Sequence, residues 1–356
     1  MEKKKIFFIM PSLGRGGAER VMCSLANSFF RKGYTVSFLL TISNSISYHL
    51  DEGIKIITNE KNNHPIGQIR FIRKVMKENR AAVFISFMTY QNVYSLIAKL
   101  FLTIQVIVSE RNDPRVTVYH RKPVAVLRNL VYPIAKKIVF QTKDALEYFP
   151  PNVQRKGCLI SNPIKDDLPC IYEGERDKRI VAISRVDPQK NLGMMIEAMD
   201  TILKKYPNYT LEIYGDTDCR QDTYRELKEK VVAFDLQDKV IFKGFATDVA
   251  EKMRRAALYV NTSNYEGISN AMLEAIALGI PAVCTDCPVG GARLFIKNGW
   301  NGYLTSVGNL REFTNAVDMA IENVDMQKNC LVEARAIRER LKLDNIADEW
   351  LSIINE

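Results

Sequence analysis

Histidine is nearly missing from this chain, with three in 356 residues, and tryptophan occurs twice. So few imidazoles leave little material for a histidine-built metal centre, or for chemistry that needs several general acids and bases. Long apolar runs are missing too. None approaches the roughly 20 residues that cross a bilayer. The opening Met-Glu-Lys-Lys-Lys-Ile-Phe-Phe-Ile-Met-Pro has only five apolar residues in a row and no small-residue cleavage site. It is too short for a signal-peptide core, so residues 6–10 are expected to form a buried strand. Acids fall short of bases, 41 against 50, leaving a net charge of +9 that admits polyanions or anionic surfaces as partners. The seven cysteines are odd in number and scattered, which points to reduced thiols in the cytoplasm. Cys284 and Cys287 make a lone C-x-x-C with no second pair, so neither a zinc nor a redox role is expected.

What is present reads as two α/β units. Residues 6–10 form an apolar run, 11–17 a glycine loop, 18–30 an amphipathic helix and 35–40 a second apolar run. A strand, glycine loop, helix and strand in that order belong to a parallel sheet with both faces covered. Further buried strands are expected at 82–87, 105–109 and 137–141. A polar stretch over 164–178 looks like a linker. Beyond it the pattern restarts, with strands at 180–183, 211–214, 240–242, 257–261 and 281–285 and helices at 192–206 and 224–235. The expected domains are therefore 1–163 and 179–340, followed by an amphipathic terminal helix in 341–356 that packs back toward the first domain.

The stretch from Glu266 to Glu274 sets two carboxylates eight residues apart. The first lies in a loop with Gly267 and Ile268, and Ser269 and Asn270 are helix-start residues. The second is expected about two turns into that helix. Helix-start amides favour an anion. A carboxylate on either side of a bound diphosphate suits a nucleotide sugar, with sugar at Glu266 and ribose at Glu274. A solvated helix start with one buried carboxylate accounts for the same spacing. Gly14, Gly16 and Gly17 precede the first helix, but their spacing is not G-x-G-x-x-G and no acid ends the second strand. A loop pressed against a diphosphate fits better than a dinucleotide site. A tight turn that needs glycine remains the other reading. Arg185 and Lys190 flank the loop after the first strand of the second half, where two cations would neutralise phosphates.

These segments together resemble glycosyltransferase family 4. The resemblance rests on Pro11-Ser-Leu-Gly-Arg-Gly-Gly-Ala-Glu-Arg20, Ser109-Glu-Arg-Asn-Asp-Pro114, Ser161-Asn-Pro163, Ser184-Arg-Val-Asp-Pro-Gln-Lys-Asn191, Tyr214-Gly-Asp216, and Glu266 to Glu274 with Gly279-Ile-Pro281. It implies the GT-B fold, two Rossmann-like domains facing a deep cleft. It also implies transfer of a sugar from a nucleotide donor, usually a UDP-sugar, with retention and without metal or other cofactor. On this resemblance Glu266 holds the donor sugar, and the amides of Gly267, Ile268, Ser269 and Asn270 hold the diphosphate. Arg185 and Lys190 stabilise the leaving group, Glu274 holds the ribose, and Gly16 and Gly17 close on the phosphates. No Asp-x-Asp metal motif is expected at either edge of the cleft. Arg111 stands where many relatives have a histidine that touches the donor sugar. Glu110, Arg111 and Asn112 are candidate sugar or acceptor contacts.

Basic residues recur at helical spacing at Arg70, Arg73, Lys74, Lys77 and Arg80, and residues 120–137 add Arg121, Lys122, Arg128, Lys136 and Lys137. Apolar residues interleave both stripes, 69–80 and 120–137. Such helices can rest on anionic lipid. The expected acceptor is a saccharide linked to polyprenyl diphosphate, in bacterial polysaccharide or glycan synthesis at the inner membrane face. An ordinary helix with its charges in water explains the stripes as well. The positive charge also admits a nucleic-acid binder, but the stripes lack interleaved exposed aromatics. A sugar-nucleotide epimerase on the same fold is a further alternative, and the scarcity of histidine counts against it.

Overall fold

The computed structural model describes residues 3–59, 63–116, 122–217 and 220–356. The chain divides into two units, Met1–Pro163 with Leu343–Glu356, and Ile164–Lys342.

The first unit holds a seven-stranded, all-parallel sheet in the order β3-β2-β1-β4-β5-β6-β7. Its strands are β1 Lys5–Met10, β2 Thr35–Leu40, β3 Lys55–Thr58, β4 Val83–Phe87, β5 Gln105–Ser109, β6 Lys137–Phe140 and β7 Gly157–Leu159. β1 pairs with β2 from Lys5 opposite Thr35 to Met10 opposite Leu40, and with β4 from Ile6 opposite Val83 to Ile9 opposite Ser86. Every residue of β4 is buried, which is why it reads as Val-Phe-Ile-Ser-Phe without alternation. Phe7 stacks on Phe84 with ring centroids 4.9 Å apart. The main helices are α1 Gly17–Arg31, α2 Pro65–Glu78, α3 Thr89–Lys99 and α4 Lys122–Val131. α3 packs between α2 and α4.

The C-terminal helix Leu343–Asn355 belongs to this unit and packs on α1. Ile346, Trp350, Ile353 and Ile354 form its buried side, and the Trp350 ring lies 5.6 Å from Phe87. Truncating so large a buried ring to alanine costs about 3–5 kcal/mol, so this helix is part of the core.

The second unit holds a six-stranded parallel sheet in the order β10-β9-β8-β11-β12-β13. Its strands are β8 Asp177–Ile183, β9 Thr210–Tyr214, β10 Val240–Gly244, β11 Ala256–Asn261, β12 Ala282–Thr285 and β13 Gly302–Thr305. The helix Leu192–Lys205 buries Met195, Ile196, Met199 and Ile202 against this sheet's core. The stretch expected to be a free linker is bound to this unit instead. Ile164 donates its amide to Leu341, and Arg176 donates to the carbonyls of Arg254 and Ala256. Strand β8 already begins at Asp177. Arg179 fixes that polar start by binding Asp177 and Glu212.

Candidate active site

In the second sheet the strand order reverses between β8 and β11. The loops leaving the carboxyl ends of these neighbours run to opposite sides, and ligands of open α/β sheets bind at that point. Residues 184–191 follow β8, and residues 262–269 follow β11. Two glycines let backbone approach this edge. A Cβ on Gly215 would lie 2.1 Å from the Ser184 carbonyl oxygen, and one on Gly291 would lie 1.9 Å from that of Gly267.

The two loops are tied together. The Thr262 hydroxyl donates to the carbonyls of Lys190, at 2.9 Å, and Asn191, at 3.0 Å. Lys190 reaches Glu266, with Nζ 2.6 Å from Oε2. Ser263 Oγ donates to the same oxygen at 3.1 Å, and Gln189 Nε2 lies 3.5 Å from it while donating to the Tyr265 carbonyl at 2.8 Å. Arg185, half exposed, donates to Gln189 Oε1 at 3.1 Å. Three donors thus converge on one oxygen of Glu266, and among the described residues no contact engages Oε1. Such a carboxylate is fixed in direction and keeps an acceptor for a ligand hydroxyl. Arg185 and Lys190, expected together beside the phosphates, do flank the loop after β8. Lys190 is ion-paired with Glu266, and Gln189 connects the pair to Arg185.

The helix Asn270–Ala277 starts at this edge, capped by Ser269, whose Oγ accepts the Met272 amide at 3.3 Å. Glu274 is buried just past the first turn rather than two turns in, because the helix begins only at Asn270. A small cavity opens beside Glu266 between Gly267, Ser269, Met272 and Cys284. Burial pushes the Cys287 thiol up to about 12 and raises Cys284 further, and Cys287 donates to the Ser263 carbonyl. These thiols are protonated and packed. The Asp-x-Asp pattern expected to be missing occurs in the sequence as Asp216-Thr-Asp218. Asp216 follows β9, and Asp218 lies outside the described residues.

The carboxyl edge of the first sheet is organised differently. Gly16 caps α1 with φ −99° and no side-chain cap, and its carbonyl accepts the Tyr48 hydroxyl at 3.1 Å. Gly17 is the first residue of α1. Glu110 is buried with both carboxylate oxygens occupied, one by the Tyr132 hydroxyl and the other by Thr89 at 3.1 Å. Burial raises its pKa, against the opposing pull of Arg128. This corrects its reading as a sugar contact, since it is a link inside the unit. Arg111 lies 4.1 Å over the Phe87 ring and 6.0 Å from that of Trp350, with Nη1 and Nη2 buried and unbonded. Burial lowers its pKa to about 9. Of the three, Asn112 is exposed and Arg111 half-buried.

The second basic stripe is also corrected. Arg128 is fully buried, donating to the Pro114 carbonyl and stacking 4.5 Å from the Phe149 ring. Lys136 binds the Ile354 carbonyl and Lys137 pairs with Glu356, while His120 and Arg121 lie outside the described residues. In the first stripe Arg73 is spent on the carbonyls of Ala98 and Leu100. Arg70, Lys74, Lys77 and Arg80 are exposed. Sequence reading missed Gln189 as the bridge, Ser263 as the second donor on Glu266, and Gly291. The first lay inside a motif already singled out, and the other two carried no local signal.

Residues 171–336 match the family model for glycosyl transferases group 1. Over 367 residues the chain is 26% identical to the GalNAc-alpha-(1->4)-GalNAc-alpha-(1->3)-diNAcBac-PP-undecaprenol alpha-1,4-N-acetyl-D-galactosaminyltransferase of Campylobacter jejuni, covering 99% of this chain and 98% of that protein. It is 26% identical over 362 residues to an uncharacterized glycosyltransferase of Haemophilus influenzae, covering 99% and 100%. Among solved structures, Anabaena Alr3699/HepE in complex with UDP and glucose superposes with a TM-score of 0.84 at 20% identity, covering 99% and 100%. The fold is therefore GT-B, two Rossmann-like parallel-sheet units, and the sequence likenesses support a glycosyltransferase of bacterial glycan synthesis.

Proposed function

We propose that this glycosyltransferase moves a sugar from a UDP-sugar to a saccharide carried on a polyprenyl diphosphate, with retention of anomeric configuration, as family 4 enzymes do. The observation that carries the reading is the Lys190–Glu266 pair, held by Ser263 and Gln189 in front of the capped helix Asn270–Ala277. Glu266 Oε1 accepts a donor-sugar hydroxyl. The amides of 267–270 face the diphosphate, Glu274 takes the ribose hydroxyls, and Arg185 and Lys190 lie on the leaving group. In the transfer step the bond from C1 to the phosphate oxygen breaks and the acceptor oxygen bonds C1 from the same face. The acceptor proton passes to the departing phosphate oxygen. The growing phosphate charge is met by Arg185, Lys190 and the helix dipole, so a metal is not required. The PP-undecaprenol-linked saccharide in the name of the Campylobacter relative supports a lipid-linked acceptor, and such an acceptor would bring the enzyme to the inner membrane face.

A panel of nucleotide sugars, with EDTA present, tests this by thermal shift and by slow donor hydrolysis. One UDP-sugar should stabilise the protein and be hydrolysed, with both effects falling in Glu266→Ala and Lys190→Ala. Binding of no nucleotide sugar, or hydrolysis only with added divalent metal, would contradict it.

A further inference from the structure

Helix α4 is turned the unusual way round. Its arginine, Arg128, points into the unit with Ala125 and Val131. Pro123, Val126, Leu127 and Leu130 point out, a stripe at i, i+3, i+4 and i+7. Val126 is 62% and Leu130 69% exposed, and Ile134 continues the line. Lys99 donates to the Ile134 carbonyl at 2.8 Å, which places the end of α3 beside the end of the stripe. There the chain turns through Leu100 and Phe101. Phe101 is 99% exposed and holds φ 62°, a left-handed backbone that aromatic residues rarely adopt. Arg73 braces that turn through the carbonyls of Ala98 and Leu100. A strained backbone carrying a phenylalanine wholly in water is the kind of outlier that points to function.

Charge decides what meets this face. Across α2, α3 and α4 the only carboxylate is Glu78, while Arg70, Lys74, Lys77 and Lys122 are exposed on the same helical layer. We propose that the Pro123–Val126–Leu127–Leu130 stripe with Phe101 is a membrane-docking face, its apolar side chains entering the acyl boundary while α2 rests on anionic headgroups. An apolar stripe flanked by cations and nearly free of acids is the pattern of helices that lie in the bilayer interface. The anchor is thus the apolar side of α4, not a basic stripe on it. The inference draws its purpose from the lipid-linked acceptor proposed above, and its geometry stands apart from the donor site.

The intact chain is sedimented with vesicles of phosphatidylcholine, with and without phosphatidylglycerol. It should bind the anionic vesicles. Leu127→Ser with Leu130→Ser should weaken that binding at least about tenfold, as expected for losing two buried side chains. Arg70→Gln with Lys74→Gln should weaken it mainly at low salt. In a Leu130→Trp variant, lipids brominated on the acyl chain should quench the new fluorescence. Donor hydrolysis in solution, followed in every variant, should stay unchanged. That separates misfolding, or failure of the transferase reading, from failure of the docking. Undiminished vesicle binding in the double leucine variant, or no quenching, overturns the proposal. So does a self-associated chain that the leucine changes turn into monomer, which would make the face a protein interface.

Discussion

The two sheets share one strand order about their centres, β3-β2-β1-β4 and β10-β9-β8-β11, yet their carboxyl edges treat charge in opposite ways. At the second edge a carboxylate and an ammonium are held partly open, with Glu266 fixed by Lys190, Ser263 and Gln189. At the first edge the charged groups near the end of β5 turn inward: Glu110 is sealed by Tyr132 and Thr89, and Arg128 and Arg111 lie against aromatic rings. A shared topology offers the same kind of sheet edge twice, and the side chains decide whether it becomes a place for chemistry or a lock on the unit. The comparison predicts that substitutions at the second edge cost activity, and that substitutions at the first act on stability, if at all, and leave activity in place.

The largest effect is expected at Glu266. Glu266→Ala should lower kcat/KM for transfer by about 10²–10³-fold, the scale of one lost transition-state contact, with a melting temperature close to the parent's. Gly291→Ala comes next. Its Cβ would meet the Gly267 carbonyl at 1.9 Å, so the loop that carries Glu266 must shift. Steady-state kinetics should show roughly a ten- to hundredfold fall, as displacement of a positioned group brings.

At the first edge, Glu110→Ala should cost about 1–3 kcal/mol in denaturant unfolding, since the Tyr132 and Thr89 hydroxyls lose their acceptor. Turnover per folded molecule should hardly change. Its pH dependence gives a finer test. Burial raises the folded pKa of Glu110 above its unfolded value. The folded state therefore keeps its proton longer, and stability falls as pH rises from the ordinary carboxylate range through the raised value. Glu110→Gln should flatten that fall in unfolding curves taken from pH 4 to 8, whereas an unchanged slope would assign it to other groups. The smallest effect belongs to Arg111→Met, which keeps the packing on Phe87 and Trp350 but removes two buried, unbonded nitrogens. Stability should stay within about 1 kcal/mol of the parent or rise. A large loss of activity with stability intact would make Arg111 a ligand contact and break the contrast between the edges.

The central strands were legible in sequence because burial on both faces leaves continuous apolar runs, as in β1, β2, β4 and β5. β3, β7 and β13 were not. They are three or four residues long, and the first two are only half buried. Glu266 and Lys190 stood out in their own loops, but their pairing joins positions 76 apart and follows from the fold alone. The inward turn of Arg128 had no signal either. Helix α4 carries apolar residues on both sides, and only packing decides which side is covered.

The central claim is that the second edge, between β8 and β11, is the donor site. Hydrogen exchange followed by mass spectrometry, with and without the UDP-sugar that best stabilises the protein, tests it most directly. Protection is expected to concentrate in residues 184–191, 262–272 and around Gly291, and to vanish in Glu266→Ala at the same donor concentration. Protection confined to the first unit, or left intact in that variant, would contradict the assignment.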